Sequence, residues 1–339
     1  MAKVAINGFG RIGRIFLRVA FSRPEIEVVA INDLGDLENL AYLLRHDSVY
    51  RGWDHDVSVR DGKLVIDGKE ILFIQEKDAA KLPWGDLGID VVVESTGFYE
   101  TFEKSKVHLA AGAKRVVISA PAKDDECADA KTILMGINEE ALSDVIVSSN
   151  GSCTTNSVHP VIQTLNETVG VKKAMLITVH AYTATQKLVD GPDKGDWRRG
   201  RAAAQNISPS TTGAAIAVTR AVKDLKGKFD GIAVRVPVVS GSLSTVTFLA
   251  GRPTTVAEIN DALTKAAESD RWKGVFATTT DPLVSSDIIG ISYASIVDLA
   301  LTKVIDGDLV SIGAWYDNEM GYTHMLVEHV IKAAALAQK

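Results

Sequence analysis

Lys3-Val4-Ala5-Ile6-Asn7-Gly8-Phe9-Gly10-Arg11-Ile12-Gly13 opens the chain with an apolar run that ends in three spaced glycines. The apolar run reads as a buried strand. A helical period follows from about Arg11 to Phe21, and a second strand, Glu27-Val28-Val29-Ala30-Ile31, ends at Asn32-Asp33. Strand, G-x-G-x-x-G, helix, strand and a terminal acid form a dinucleotide-binding grammar. Gly8 suits a tight turn, Gly10 the close approach of a pyrophosphate, and Gly13 the packing of helix on strand. Asp33 is placed to accept hydrogen bonds from an adenosine ribose. A carboxylate there also repels a 2′-phosphate, so NAD is favoured over NADP.

The sequence after Asp33 predicts a helix over Leu37–Arg45, then an antiparallel insertion of strands at Val57–Arg60, Lys63–Ile66 and Glu70–Ile74. Asp61-Gly62 and Asp67-Gly68 are the hairpin turns of that insertion. Parallel-sheet patterning returns at Asp90–Glu94, with a helix over Phe102–Ala111 and strands at Arg115–Ser119, Thr132–Met135 and Asp144–Ser148. This is a Rossmann-type doubly wound domain. Ser95, Thr96 and Ser119 stand at strand ends, where such sheets place ligands.

The last strand delivers the chain to Ser149-Asn150-Gly151-Ser152-Cys153-Thr154-Thr155-Asn156. A helix is expected from Cys153 to Val169, so a thiol occupies its first turn. Unpaired N–H groups and a partial positive charge there favour a thiolate and bind oxyanions. His159 lies on another face of that helix and is no partner for the thiol. A strand over Ala174–Val179 ends in His180-Ala181-Tyr182-Thr183, where His180 is the best placed of the seven histidines. From Ala184 to about Ser210 no period holds, and Trp197-Arg198-Arg199-Gly200-Arg201 concentrates positive charge. Ser210-Thr211-Thr212-Gly213 opens a further helix and a second anion-ready terminus.

In Ile232–Val238 the aliphatic residues Ile232, Val234, Val236 and Val238 share one face, and Arg235 projects from the other. Its burial calls for a carboxylate or phosphate partner. Strands near Leu243–Leu249, Ile296–Thr302 and Val310–Trp315, with a helix near Thr255–Glu268, make an α+β domain whose sheet is mostly antiparallel. The expected boundaries are residues 1–152 for the nucleotide domain and 153–317 for the catalytic domain. A C-terminal helix, 318–339, should pack back on the first.

With 339 residues, 46% hydrophobic and 24% charged, the chain has the composition of a globular protein of two domains. A net charge of −6 without a basic cluster argues against nucleic acid or an anionic membrane as partner. No apolar run is long enough to span a membrane, and the first residues lack a signal-peptide layout. Two cysteines, Cys127 and Cys153, exclude a disulfide scaffold or multi-cysteine metal site and suit a reducing cytoplasm. The acidic run before Cys127 disfavours a thiolate there.

Taken together, these stretches resemble the phosphorylating glyceraldehyde-3-phosphate dehydrogenases over essentially the whole chain. The resemblance rests on Ile6–Arg14, Ser149–Asn156, His180–Thr183, Thr212-Gly213-Ala214-Ala215, Arg235-Val236-Pro237 and Trp315–Glu319. It implies oxidation of glyceraldehyde 3-phosphate with NAD and inorganic phosphate to 1,3-bisphosphoglycerate, in glycolysis and gluconeogenesis. Cys153 would be the nucleophile and His180 the general base and acid. Ser152, Thr154, Thr183, Arg199, Thr212, Gly213 and Arg235 would bind substrate and phosphate. Gly8, Gly10, Arg11, Ile12, Gly13, Asp33, Lys77, Ser119 and Asn318 would hold the cofactor, with no metal. The resemblance also implies a cytoplasmic homotetramer, with the loop from Ala184 to Ser210 near a neighbouring subunit. Gly151, Ser157, Ile216 and the stretch Val238–Thr245 depart from the usual pattern. The alternatives are an erythrose 4-phosphate dehydrogenase, which shares the cysteine and histidine, and an NAD-binding redox sensor built on Cys153.

Overall fold

The computed structural model describes residues 1–338, so Lys339, the last residue of the expected C-terminal helix, lies outside the described residues. Two compact units divide the chain: Met1–Gly151 with the helix from Thr323, and Ser152–Tyr322.

The first unit is built on nine strands. They are β1 (Ala2–Asn7), β2 (Ile26–Asn32), β3 (Val57–Arg60), β4 (Lys63–Ile66), β5 (Lys69–Ile74), β6 (Val91–Glu94), β7 (Arg115–Ile118), β8 (Ala130–Thr132) and β9 (Val147–Ser149). Their order in the sheet is β8-β9-β7-β6-β1-β2-β5-β4-β3. β1 lies parallel between β2 and β6, so the chain reverses its winding there, as doubly wound sheets do. Helices α1 (Arg11–Ala20) and α2 (Leu37–Arg45) follow the first two strands, and Asp36 caps α2 by accepting from Asn39 N–H. The insertion is only partly an appendage. β3, β4 and β5 form an antiparallel meander, yet β5 also pairs in parallel with β2 and extends the main sheet.

Three local expectations change. Phe102–Ala111 is two short turns, Phe102–Ser105 and Val107–Ala110, rather than one helix. The strand expected at Thr132–Met135 sits earlier, at β8. The one expected at Asp144–Ser148 shortens to β9, leaving Ile146 exposed.

The second unit carries a seven-stranded sheet: β10 (Val171–Ala181), β11 (Ser208–Thr211), β12 (Phe229–Val236), β13 (Ser242–Ala250), β14 (Phe276–Thr279), β15 (Ser295–Ile305) and β16 (Leu309–Tyr316). The order is β11-β12-β10-β13-β16-β15-β14, and only β10–β12 and β14–β15 pair in parallel. Two of these strands escape the sequence patterning. β11 carries Pro209, which costs a ladder donor and is tolerated because β11 is an edge strand. β14 is four residues long, too short for a clear alternation.

Helices α3 (Cys153–Thr168), α4 (Ala214–Ala221) and α5 (Val256–Ala267) pack on one face of this sheet. The other face inverts the usual polarity. On β10 the inward residues include Thr178 and His180, while Met175, Ile177 and Val179 point outward at 52%, 42% and 37% exposure. Ile232 continues the outward apolar surface on the next strand.

The last helix, α6 (Met320–Ala337), begins in the second unit and from Thr323 belongs to the first. Its His329 is fully buried there. The ring lies 2.8 Å from Ser148 Oγ through Nε2 and 3.0 Å from Asn150 Oδ1 through Nδ1.

Candidate active site

In the first unit the three glycines are distinguished by what a side chain would meet. Gly8 has φ +97°, and a Cβ there would lie 2.6 Å from the Ser95–Thr96 backbone. A Cβ on Gly13 would lie 2.2 Å from Gly8 O. Both glycines are demanded by the protein's own packing. Gly10 is not, since a Cβ there would meet nothing within 4 Å. Space is therefore kept at the N-terminus of α1, whose N-cap, Gly10, offers no side-chain hydrogen bond. A helix start without a side-chain cap beside that space suits an anion.

Next to it is a crevice of about 410 Å³, lined among others by Gly8, Gly10, Asp33, Lys77 and Thr96. Asp33 ends β2 and works twice within the protein. Oδ2 accepts from Phe9 N–H at 2.6 Å and Oδ1 from Gly35 N–H at 2.7 Å, tying the glycine loop to the strand end. Two apolar side chains that sequence reasoning missed also line the crevice: Leu34, 59% exposed, and Phe98, 79% exposed. Leu34 lies two residues and Phe98 four residues beyond a strand end, in the short loops that follow, which is the signal that could have found them. Arg11 turns its guanidinium to Asp47 and the Tyr50 ring, with Ile12 half-buried behind it. Ser119 follows β7 and donates its N–H to Glu94 O, away from the crevice lining.

The floor of this unit is a buried polar network. Glu94 Oε2 accepts from Asn7 Nδ2 at 2.6 Å, and Oε1 accepts from Thr96 N–H at 2.8 Å. His108 Nε2 lies 2.9 Å from the same carboxylate, and Trp84 Nε1–H donates to His108 Nδ1 at 3.1 Å. The indole fixes the tautomer: with Nδ1 accepting, Nε2 carries the proton toward Glu94.

In the second unit Cys153 is the first residue of α3. Ser152 is its N-cap and closes a capping box: Ser152 Oγ accepts from Thr155 N–H at 3.0 Å, and Ser152 N–H donates to Thr155 Oγ1 at 3.2 Å. The sulfur lies 3.3 Å from His180 Nε2. Register supplies the next neighbour, because β10 and β12 pair in parallel with His180 beside Arg235. Arg235 Nη1 is 2.8 Å from His180 Nδ1 and donates to Ala181 O at 3.0 Å. Among the described residues no carboxylate forms an ion pair with Arg235, which leaves phosphate, the other partner the sequence suggests. Its partners are a ring nitrogen and a carbonyl, so its charge is available to a ligand.

Burial pushes the Cys153 thiol above its ordinary value, against the pull of the Arg235 charge and of hydrogen bonds from Thr154. Cys153 as a residue is only half-buried, so the cost of losing water comes from the surrounding protein atoms rather than complete enclosure. His180 is pushed down to about 3 by burial and by Arg235, and is a neutral imidazole at pH 7. Tyr316 closes the site from below. Its hydroxyl sits 2.9 Å from Thr154 Oγ1 and 2.7 Å from Thr178 Oγ1, and its ring meets His180 edge-on at 5.9 Å.

The remaining expected positions separate. Arg199 Nη2 donates to Ser210 Oγ at 3.2 Å, and its Nε lies 3.6 Å from Asp196 Oδ2. Thr212 Oγ1 accepts from Ala214 N–H at 3.2 Å, and Gly213 is the uncapped start of α4. Thr183 Oγ1 pairs with Thr185 Oγ1 at 2.9 Å. Thr154 spends its hydroxyl on Tyr316 in the core and does not present it to solvent. Asn318 Oδ1 accepts from Ser242 Oγ at 3.0 Å, which orients its carboxamide.

Residues 2–102 match the model of the glyceraldehyde 3-phosphate dehydrogenase NAD binding domain, and 152–318 that of its C-terminal domain. The chain belongs to the glyceraldehyde-3-phosphate dehydrogenase family. A family member from Clostridium acetobutylicum is 48% identical over all of both chains. The Geobacillus stearothermophilus enzyme is 47% identical over 99% of this chain and 98% of its own. Glyceraldehyde-3-phosphate dehydrogenase 3 of Saccharomyces cerevisiae is 44% identical over 98% and 100%. As family membership entails, this is an NAD-dependent oxidoreductase of α/β architecture. Among its described residues no helix is long and apolar enough to cross a membrane.

Proposed function

We propose that the chain oxidises glyceraldehyde 3-phosphate, with NAD and inorganic phosphate, to 1,3-bisphosphoglycerate. The observation that carries this reading is the contact of Cys153 Sγ with His180 Nε2 at 3.3 Å, with Arg235 on the ring's other nitrogen. The sulfur attacks the aldehyde carbon and forms a thiohemiacetal. His180 Nε2, neutral at pH 7, takes the proton of its hydroxyl as the hydride leaves the carbon. NAD, when bound, supplies the hydride acceptor. The thioester left on Cys153 is attacked by a phosphate oxygen, the C–S bond breaks, and sulfur leaves as thiolate.

Arg235, Arg199, the Ser152 hydroxyl and the helix start at Thr212-Gly213 are the groups we assign to substrate phosphate and inorganic phosphate, with Thr183 beside them. Thr154 then acts through Tyr316 as a positioning residue. We assign the cofactor to Gly8, Gly10, Arg11, Ile12, Gly13, Asp33, Lys77, Ser119 and Asn318. Leu34 and Phe98 serve as apolar walls for a planar base. The open space at Gly10 and the uncapped α1 terminus support this assignment. The outward apolar face of the second sheet, with exposed Leu188, Val189 and Trp197 on the long loop, supports a homo-oligomer, a tetramer in our reading, at work in the cytoplasm. Light scattering on the purified chain tests this; a stable monomer at micromolar concentration would end it.

The decisive experiment follows NADH absorbance with glyceraldehyde 3-phosphate, with and without inorganic phosphate, in the unaltered chain and in Cys153→Ser. Steady turnover that requires phosphate and vanishes in the variant is expected. Turnover without phosphate would mean that water resolves the thioester. NAD binding without any NADH would favour erythrose 4-phosphate as substrate, or a sensing role for Cys153.

A further inference from the structure

His180 Nδ1 and the two atoms against it cannot all be satisfied at once. Ala181 O lies 2.6 Å from Nδ1, Arg235 Nη1 lies 2.8 Å from Nδ1, and these two are 3.0 Å from each other. Ala181 O is an acceptor and the guanidinium is only a donor. If Nδ1 carries the proton it serves Ala181 O, and the arginine N–H faces another N–H. If Nδ1 is bare it accepts from Arg235, and its lone pair faces the carbonyl oxygen. Each tautomer leaves one opposed contact. On the other side of the ring, the choice decides whether Nε2 offers an N–H or a lone pair to Cys153 Sγ at 3.3 Å.

We propose that Arg235 selects which ring nitrogen of His180 carries the proton, and that an anion binding to Arg235 moves that proton from Nε2 to Nδ1. The inference rests on the reading of Cys153 and His180 as the reacting pair. With Arg235 donating to Nδ1, it is Nε2–H that faces the sulfur. A phosphate or a phosphorylated substrate draws Arg235 to itself. Nδ1 then takes a proton to serve Ala181 O, while Nε2 releases one to solvent, so the ring stays neutral. Nε2 is now the base that receives the thiohemiacetal proton. Arg235 is thus a positioning residue as well as an anion ligand, and the base is armed only when substrate is present. The other groups facing the ring do not compete for Nδ1. Cys153 sits at Nε2, Tyr316 turns its hydroxyl to Thr154 and Thr178, and Arg199 acts only through its charge on Arg235.

The test is nitrogen NMR of the full chain labelled with ¹⁵N-histidine, in which bare and protonated ring nitrogens resonate far apart. Seven histidines are present, and the signal lost in His180→Gln identifies the one of interest. Without added anion His180 should show a protonated Nε2. Titration with inorganic phosphate should reverse the tautomer ratio at least several-fold. Arg235→Gln should show a protonated Nδ1 at every phosphate concentration. A ring that keeps one tautomer through the titration of the unaltered chain, which needs no variant, overturns the proposal. So does an Arg235→Gln chain that still responds to phosphate. If turnover persists while the tautomer is fixed, only this switch fails; absence of turnover removes the reading beneath it as well.

Discussion

α1 and α3 both begin where a strand hands over to a helix through small residues, and they end in opposite states. α1 starts behind Gly10, an N-cap that makes no side-chain hydrogen bond, with open space around it. α3 starts behind Ser152 with a closed capping box, its Thr155 amide already taken. The first is a terminus left free for an anion. The second is a terminus spent on fixing one side chain, Cys153, in place. A helix start is therefore not an anion site by position alone. The cap residue decides, and for the thiol the decisive neighbours come from β10 and β12.

That contrast can be attacked from several sides. Among single substitutions the largest loss is expected from Gly13→Ala, whose Cβ would strike Gly8 O. A loss of about 1–3 kcal/mol in unfolding free energy should appear in urea titration. An alanine as stable as the parent would mean that the loop is not locked as described.

Acid should loosen the approach to α3. His180 and His329, both buried, sit near pKa 3 against about 6.5 in the unfolded chain. Between those values the unfolded state binds more protons, so stability is full above about 6.5 and falls as pH drops toward 3. Each histidine contributes a slope of about 1.4 kcal/mol per pH unit at most. Urea midpoints measured from pH 7.5 down to 5 check this. A His329→Gln chain should show a shallower fall, and an unchanged slope would remove His329 from the account.

Gly10→Ala should do the reverse of Gly13→Ala. Its backbone is extended and its surroundings are empty, so the unfolding midpoint should hold while NAD affinity falls about tenfold, or about 1.4 kcal/mol. Calorimetric NAD titration reads the affinity, and unchanged binding would show that the space at Gly10 is not used by the cofactor. The smallest effect belongs to Ser152→Ala, about 1 kcal/mol of stability from the lost cap, with NAD affinity unaffected.

The glycine fingerprint made the first unit legible in the sequence, because each glycine answers a local demand that spacing reveals. Cys153 was legible for the same reason: a strand, a small turn and a helix start are all local. The partnership of Cys153 with His180 and Arg235 was not. His180 and Arg235 are neighbours through the parallel register of β10 and β12, and Cys153 meets them from α3, long-range pairings that local pattern does not encode. The outward apolar face was hidden differently. Alternation in Ile232–Val238 shows that four aliphatic residues share a face, but not that this face points away from the helices. β11 was masked by Pro209, which reads as a break unless the strand is known to lie at an edge.

The return of α6 has a consequence for how the chain is made. Residues emerge from the ribosome in order, yet the first unit lacks Met325, Leu326, Val330 and Ala333 of its core until the final stretch appears. At roughly 5–20 residues per second, residues 1–151 wait about ten to thirty seconds for that helix. Throughout that interval the second unit has all of its own sequence arriving and can finish first. The half of the molecule synthesised earliest is therefore the half completed last.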